Sequence, residues 1–304
     1  MERKVFVITG PTCSGKTFLC LNLAERLDTE IISADSRQIF KFLDIGTAKP
    51  SQAELAHVKH HFIDELTPDQ EFNVSKFEAE SLDIIESLHK ENKIPVAVGG
   101  SGLYIKALVD GIFNTADTDE QLRNELKSKM DEHGQQYLYD ELKRLDPEAA
   151  ETMLPQNWKR VIRALEVFHL TGKSILQHHK DYQRETGINF IQIGLNWQRS
   201  ILYANIEARV DKMIDAGLVD EVKGVLEMGY SRELNSLNTV GYKEIISYLE
   251  NEITLDRAIE LIKRNTRRFA KRQLTWFRAD QRIAWFDVSG EKDLIELTRK
   301  VIKL

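Results

Sequence analysis

The sequence predicts an α/β fold, a parallel sheet covered by helices on both faces, with an all-helical segment inserted into it. Three observations carry this. Short apolar, β-type runs recur at 5–9, 30–35, 94–100, 190–195 and 282–288. The chain between successive runs is long enough for helical crossovers, and residues 17–24 and 77–88 show helical apolar spacing, so a sheet built from these runs is parallel. From about 115 to 188 no such run occurs, and charged helical segments follow one another at 120–133, 135–145 and 158–170. The expected organisation is therefore a discontinuous core, 1–114 with 189–304, and a helical insertion, 115–188. At 304 residues and 42% hydrophobic content the chain has the length and apolar material for both.

Taken in order, the first run leads into Gly10-Pro-Thr-Cys-Ser-Gly-Lys-Thr17, a full match to the phosphate-loop pattern, and the helical spacing begins at Thr17. Strand, loop and helix stand in the required order. Gly10 and Gly15 open backbone angles closed to other residues, so the N–H groups of Pro11-flanked Thr12, Cys13, Ser14, Gly15 and Lys16 can turn toward phosphate oxygens at the positive end of a helix. Lys16 would reach the terminal phosphates and the Thr17 hydroxyl would hold Mg²⁺. This makes the core P-loop NTPase-like. It does not say whether the phosphates belong to a nucleotide such as ATP.

The second run ends in Asp35, followed by Ser36, Arg37 and Gln38, and the third in Gly99-Gly100-Ser101-Gly102. Ligands in parallel sheets sit beyond the carboxyl ends of the strands, so these two turns converge with the phosphate loop. Asp35 has three readings: a general base, an anchor for Mg²⁺ through water, or a cap for a following helix. Ser101 either donates to a ligand or caps the next helix. The third strand ends in glycines, where a nucleotide-hydrolysing switch carries a metal-holding acid, which argues against ATP or GTP hydrolysis. Arg160 and Arg163, beside Lys159, sit on one helical segment, and Arg209 lies early in another; each is a candidate anion clamp or an ordinary solvated arginine.

The formal net charge is −6, yet residues 263–282 carry eight Lys and Arg against the single acid Asp280. This directed positive field suits a phosphate backbone. In the C-terminal helix that carries this segment, Ile259, Ile262, Phe269 and Trp276 are spaced to face the core, with Arg264, Arg267, Arg268, Lys271 and Arg272 opposite and without acids among them to pair them. Cys13 and Cys20 lack zinc-type spacing and read as reduced thiols. No run approaches the ~20 apolar residues of a membrane span and no signal-peptide stretch is seen, so a cytoplasmic protein without a membrane or an obligate protein partner, and monomeric by default, is expected.

The phosphate loop, Asp35-Ser-Arg-Gln38, Asp44-Ile-Gly-Thr-Ala-Lys-Pro50, His61-Phe-Ile-Asp64, Gly99-Gly-Ser-Gly-Leu-Tyr104, Arg163-Ala-Leu-Glu-Val167, Gly241-Tyr-Lys-Glu244 and Lys271-Arg-Gln-Leu-Thr-Trp276 fall in one order along the chain. In this the sequence strongly resembles the bacterial tRNA dimethylallyltransferases, the IPP transferase family, over nearly its whole length. The resemblance implies transfer of a dimethylallyl group from dimethylallyl diphosphate to N6 of the adenosine 3′-adjacent to the tRNA anticodon (position 37), with Mg²⁺ as cofactor. It implies that Lys16, Thr17 and Arg209 hold the diphosphate and that Asp35 takes the proton from the amine. It assigns contacts with the tRNA anticodon stem-loop to Asp35, Ser36, Arg37, Gln38, Ser101, Arg123, Lys159, Arg160, Val161, Ile162 and Arg163. Thr239, Gly241, Lys243, Lys271, Arg272 and Arg278 join them. Cys13 stands where the family more often has Ala, and residues 113–117 replace the usual proline-containing entry to the insertion. The Cys and His pairs of the eukaryotic zinc-finger extension are absent, which favours a bacterial form. The alternative is a small-molecule kinase with a helical lid bearing Arg160 and Arg163.

Overall fold

The computed structural model describes residues 3–113, 119–182 and 184–304, which divide into two compact units, one of residues 1–109 and 186–304 and one of 110–185. In the larger unit, strand β1 (Lys4–Thr9) leads through the phosphate loop into α1 (Lys16–Leu27) and β2 (Ile31–Ser33) follows. A short α2 (Gln52–His57) and the two-residue β3 (His60–His61) precede α3 (Val74–Lys90), β4 (Val96–Gly99) and α4 (Gly102–Asp110). The smaller unit holds α5 (Glu120–His133), α6 (Gln135–Leu145), α7 (Pro147–Glu151), α8 (Trp158–Thr171) and α9 (Ile175–Asp181). The chain returns to the larger unit with β5 (Asn189–Trp197), α10 (Arg199–Asp215), α11 (Leu218–Glu227) and α12 (Tyr242–Leu249). It ends with α13 (Leu255–Arg278), β6 (Ala284–Val288) and α14 (Glu291–Val301).

The six strands form one parallel sheet in the order β3-β2-β4-β1-β5-β6. The central strand β1 shows why its sequence is apolar throughout: Val5 and Val7 enter one core, Phe6 and Ile8 the other, because successive side chains point to opposite faces and both faces are covered. One face packs on α1 and α14 through Leu19, Leu23, Leu294 and Leu297. The opposite face packs on α3, α4 and α10 to α13 through Phe77, Leu108, Val210, Val222, Tyr242 and Ile262. Register sets the site: Thr9 pairs with Gly99 and Ser33 with Val98, so the loops after β1, β2 and β4 leave the sheet at one level.

The smaller unit has a core of its own, with Leu126, Leu138, Leu142, Val161 and Leu165 buried. It begins at Asp110 and ends at Glu185, whereas the sequence reading set 115 and 188; Thr115, like the rest of 114–118, lies outside the described residues. The later boundary moves because Thr186 and Ile188 already belong to the larger unit, Ile188 packing on its core and Arg3 bonding the Thr186 carbonyl at 3.5 Å. The strand β3 and helix α14 are additions to the sequence reading. Two residues are too few to show a period, and α14 is an amphipathic helix that buries Leu294, Leu297 and Val301 after the last strand.

Candidate active site

A cavity of about 770 Å³ opens beyond the carboxyl ends of β1, β2 and β4 and is walled by the phosphate loop, the 35–38 turn, residues 98–103, the start of α12 and one side of α13. Among its lining residues the cations are Lys16, Arg37, Arg209, Lys243 and Arg272, and the acids are Asp35 and Glu54. That imbalance suits an anionic ligand.

The phosphate loop has the backbone its sequence requires, with Gly10 at φ 147° and Gly15, the N-cap of α1, at φ 83°. Cys13 also takes a positive φ, 63°. Among the described residues the N–H groups of Cys13, Ser14, Gly15, Lys16 and Thr17 find no protein acceptor, leaving five donors around the start of α1. The Ser14 hydroxyl is buried without a partner. The Thr12 N–H is taken by the Gln273 side chain at 2.8 Å. Lys16 folds over the loop and donates to the carbonyls of Gly10 at 3.0 Å and Pro11 at 2.7 Å. Burial and the neighbouring Arg209 charge lower its pKa to about 8. Arg209, from α10, reaches the same loop with Nη1 3.4 Å from the Thr12 hydroxyl.

Asp35 caps a turn rather than a helix. One carboxylate oxygen accepts the Arg37 N–H at 2.9 Å, and the other makes no hydrogen bond among the described residues. Glu54 serves the capping box of α2, where its Oε2 accepts from the Ser51 N–H and hydroxyl. Ser101 likewise caps no helix: its hydroxyl accepts the Ser36 N–H at 3.2 Å and ties the turn after β2 to the turn after β4. Glycine at 99 is needed for that closeness, since a Cβ there would lie 2.0 Å from the Ala34 carbonyl oxygen. Arg37 donates to the Asn235 carbonyl at 2.6 Å, and Gln38 spends its amide on the Thr47 and Ala48 carbonyls at 3.2 and 3.1 Å.

The 44–46 segment is held from behind by Glu221, whose carboxylate accepts the N–H groups of Asp44, Ile45 and Gly46 and the Tyr242 hydroxyl. Burial, then this carboxylate, push the Tyr242 hydroxyl far above the ordinary tyrosine range. Thr239, Gly241 and Lys243 line the cavity, with Gly241 N–H bonded to buried Glu244 at 2.8 Å.

Two expectations for α13 need correction. Phe269 and Trp276 do not face the core; they are 39% and 42% exposed and form cavity wall. They fail as core residues because α13 passes the open end of the sheet there, and Trp276 lies over Gly102, where a Cβ would be 2.3 Å from its ring. The basic face is also partly neutralised, by Asp211 against Lys263 at 2.5 Å and Glu207 against Arg267 at 2.6 Å, both acids being supplied by α10. Arg268 and Lys271 are exposed and have no acidic partner among the described residues. Arg272 lies over the Phe269 ring, and Arg278 donates to Asn196 at 3.1 Å.

The remaining expected RNA contacts belong to the smaller unit. Lys159 and Arg160 are exposed on α8. Val161 and Ile162 are core residues, 0% and 4% exposed, so their side chains have no surface to offer. They fall on the inward stripe of α8, a placement that their apolar character already fits. Arg123 and Arg163 both bind the buried Glu166, Arg123 with two bonds at 2.5 and 2.9 Å and Arg163 with one at 3.3 Å. Gln273 was missed as an individual residue. The signal was a polar residue on a buried stripe, three after Ala270 and four before Phe277.

Similarity to known proteins agrees with this arrangement. The IPP transferase family profile matches residues 38–280. The chain belongs to the IPP transferase family. Within the family it is 46% identical to the tRNA dimethylallyltransferase of Acetivibrio thermocellus, over 98% of this chain and 95% of that one, and 45% identical to that of Thermotoga maritima, over 99% and 97%. Its fold is similar to the crystal structure of the tRNA isopentenylpyrophosphate transferase of Bacillus halodurans, with TM-score 0.73 and 40% identity over 99% and 96% of the two chains. It is similar too to a eukaryotic dimethylallyltransferase acting on tRNA, with TM-score 0.82 and 26% identity over 99% of this chain and 79% of that one. The family's fold is P-loop NTPase-like, as the sheet and loop described above require.

Proposed function

We propose that this protein transfers the dimethylallyl group of dimethylallyl diphosphate to N6 of the adenosine 3′-adjacent to the tRNA anticodon, releasing diphosphate. The observation that carries the reading is one cavity holding a donor-rich phosphate loop, five cations and a carboxylate with an unengaged oxygen, in a chain of this family. A kinase with a helical lid finds no support among the relatives.

In this reading the N–H groups of Cys13 to Thr17, with Lys16 and Arg209, bind the diphosphate. As the allylic C1–O bond breaks, negative charge grows on the leaving oxygen, and these fixed donors stabilise it. The amine nitrogen forms the new bond to C1 and loses its proton to the free oxygen of Asp35. Asp35 is held for this by the Arg37 N–H. Phe269 and Trp276 offer aromatic surface to a base turned out of the anticodon loop. Exposed Arg268 and Lys271, with Arg272, supply the phosphate-backbone contacts.

Magnesium fits the residues present as an ion brought with the diphosphate. Thr17 is exposed at the start of α1 and would offer its hydroxyl, while no group of three or more His, Cys, Asp or Glu able to hold a metal occurs among the described residues. When bound, it supplies further neutralisation of the leaving group.

The test is incubation of the purified protein with radiolabelled dimethylallyl diphosphate, Mg²⁺ and unmodified tRNA, with label counted in the RNA and mapped to a nucleoside. Label at the adenosine beside the anticodon is expected. ATP consumption with small metabolites and no label in RNA would reject the reading.

A further inference from the structure

Gln273 is a polar residue on the buried stripe of α13, 6% exposed, and both ends of its amide are satisfied by loops of the cavity. Its Oε1 accepts the Thr12 N–H at 2.8 Å, and its Nε2 donates to the Gly100 carbonyl at 3.0 Å. The fit is close enough to require glycine opposite, since a Cβ on Gly100 would stand 2.2 Å from Nε2. On the same side of α13, Ala270 packs with Cys13, Leu202 and Ile206, and Trp276 covers Gly102. This side is moulded to the phosphate loop and the turn after β4, while Arg268 and Lys271 of the same helix are exposed.

We propose that Gln273 is a positioning residue for the phosphate loop: it locks the loop against α13, so that the N–H groups of Cys13 to Thr17 converge on the donor's diphosphate. The inference deepens the function proposed above and rests on its diphosphate assignment. Thr12 carries the first N–H after Pro11, and the residue before Pro11 is Gly10, whose φ of 147° marks a backbone open to alternatives. With the Thr12 N–H held, the Pro11–Thr12 peptide is fixed and the donors after it share one orientation. Without that bond the loop must be ordered by the ligand, at the expense of affinity. A primary amide is what the position requires, because one planar group supplies an acceptor for one loop and a donor for the other. Glutamate keeps the acceptor but sets an oxygen against the Gly100 carbonyl, and methionine keeps the volume but offers neither bond.

The experiment is calorimetric titration of the full chain with inorganic diphosphate in Mg²⁺ and, separately, with an anticodon stem-loop RNA, for the wild type, Gln273→Met and Gln273→Glu. The kcat and donor KM of each are measured alongside. Both variants are expected to bind diphosphate about tenfold more weakly and to raise the donor KM by a similar factor. RNA affinity should stay at the wild-type value while Tm falls modestly with the loss of two buried hydrogen bonds, and Lys271→Ala should show the opposite pattern, weaker RNA binding at unchanged diphosphate affinity. Weaker RNA binding with unchanged diphosphate affinity in the Gln273 variants would make the residue an RNA contact and overturn the proposal. Unchanged values for both ligands, or equal losses for both with a lowered Tm in both variants, would make its role packing alone and overturn it too. A wild type that binds no diphosphate would instead remove the assignment on which the proposal stands.

Discussion

Lys16 sits where its charge is costly. Its ammonium is desolvated and faces Arg209, and its pKa is held at about 8 against an ordinary 10.5. A bound diphosphate would favour the charged form and raise that value, so between about pH 8 and 10 binding takes up a proton. The Lys16 contribution to diphosphate affinity, taken as wild type relative to Lys16→Met so that the ligand's own titration cancels, should therefore be flat below pH 8 and fall about tenfold per pH unit above it. Calorimetry across pH 6.5 to 10 checks this, and Lys16→Met should weaken binding and remove this part of the slope. The sign for folding runs the other way: the unfolded chain holds this proton more tightly, so the penalty is full below about pH 8 and fades toward 10.5. Lys16→Met should accordingly raise Tm at pH 7 while losing transfer. Asp35 has a separate expected signature. Asp35→Asn keeps the Arg37 N–H bond and removes the proton acceptor, so single-turnover transfer should slow by roughly 10² to 10⁴-fold with RNA affinity unchanged. Transfer at the wild-type rate would exclude Asp35 as the base.

Helix α13 joins three surfaces within one element. At 24 residues it is about 36 Å long, and it starts cleanly because Thr254 caps the Arg257 N–H. Ile262 and Phe277 pack on the core, Phe269 and Trp276 wall the cavity, and Arg268 and Lys271 face solvent. Its cations are unequal. Lys263 and Arg267 are paired by acids of α10, and Arg268 and Lys271 are not, among the described residues. Arg268→Glu with Lys271→Glu should weaken anticodon stem-loop binding and reduce the slope of log affinity against log salt by one or more. Lys263→Ala with Arg267→Ala should do much less. Titrations at several salt concentrations separate the two pairs, and equal effects would mean that the ion pairs with α10 do not persist in solution.

At the scale of the whole molecule, each unit carries its own core, and the smaller one is stapled by a buried charge. Glu166 has a side chain 1% exposed and binds Arg123 and Arg163, both of them part-exposed. Removing the partners of a buried carboxylate leaves its charge uncompensated, and Arg123→Ala with Arg163→Ala should destabilise residues 110–185 by about 3 kcal/mol. Hydrogen exchange should then speed in α5 and α8 while amides of β1 and β4 keep their protection, because a unit with its own core opens locally. Uniform acceleration along the chain would show that the two units unfold as one.

The sequence by itself determined the central strands, the phosphate loop, the glycine turn after β4 and the family, because these depend on local rules: continuous apolar β-type runs, left-handed backbone at glycines, and fixed motif spacing. It also placed Asp35 at a strand end, where parallel sheets gather their ligands. It did not determine which side chains remain free to act. Only the tertiary structure decided that Arg123 is tied to Glu166, 43 residues away. The same holds for Trp276, which walls the cavity instead of entering the core, and for Gln273, which bridges two loops. These outcomes depend on partners far away in sequence, 261 residues for Gln273 and Thr12. A hydrogen bond or ion pair between such residues leaves no periodicity to read, and exists only once the register of the sheet has brought the loops to one level.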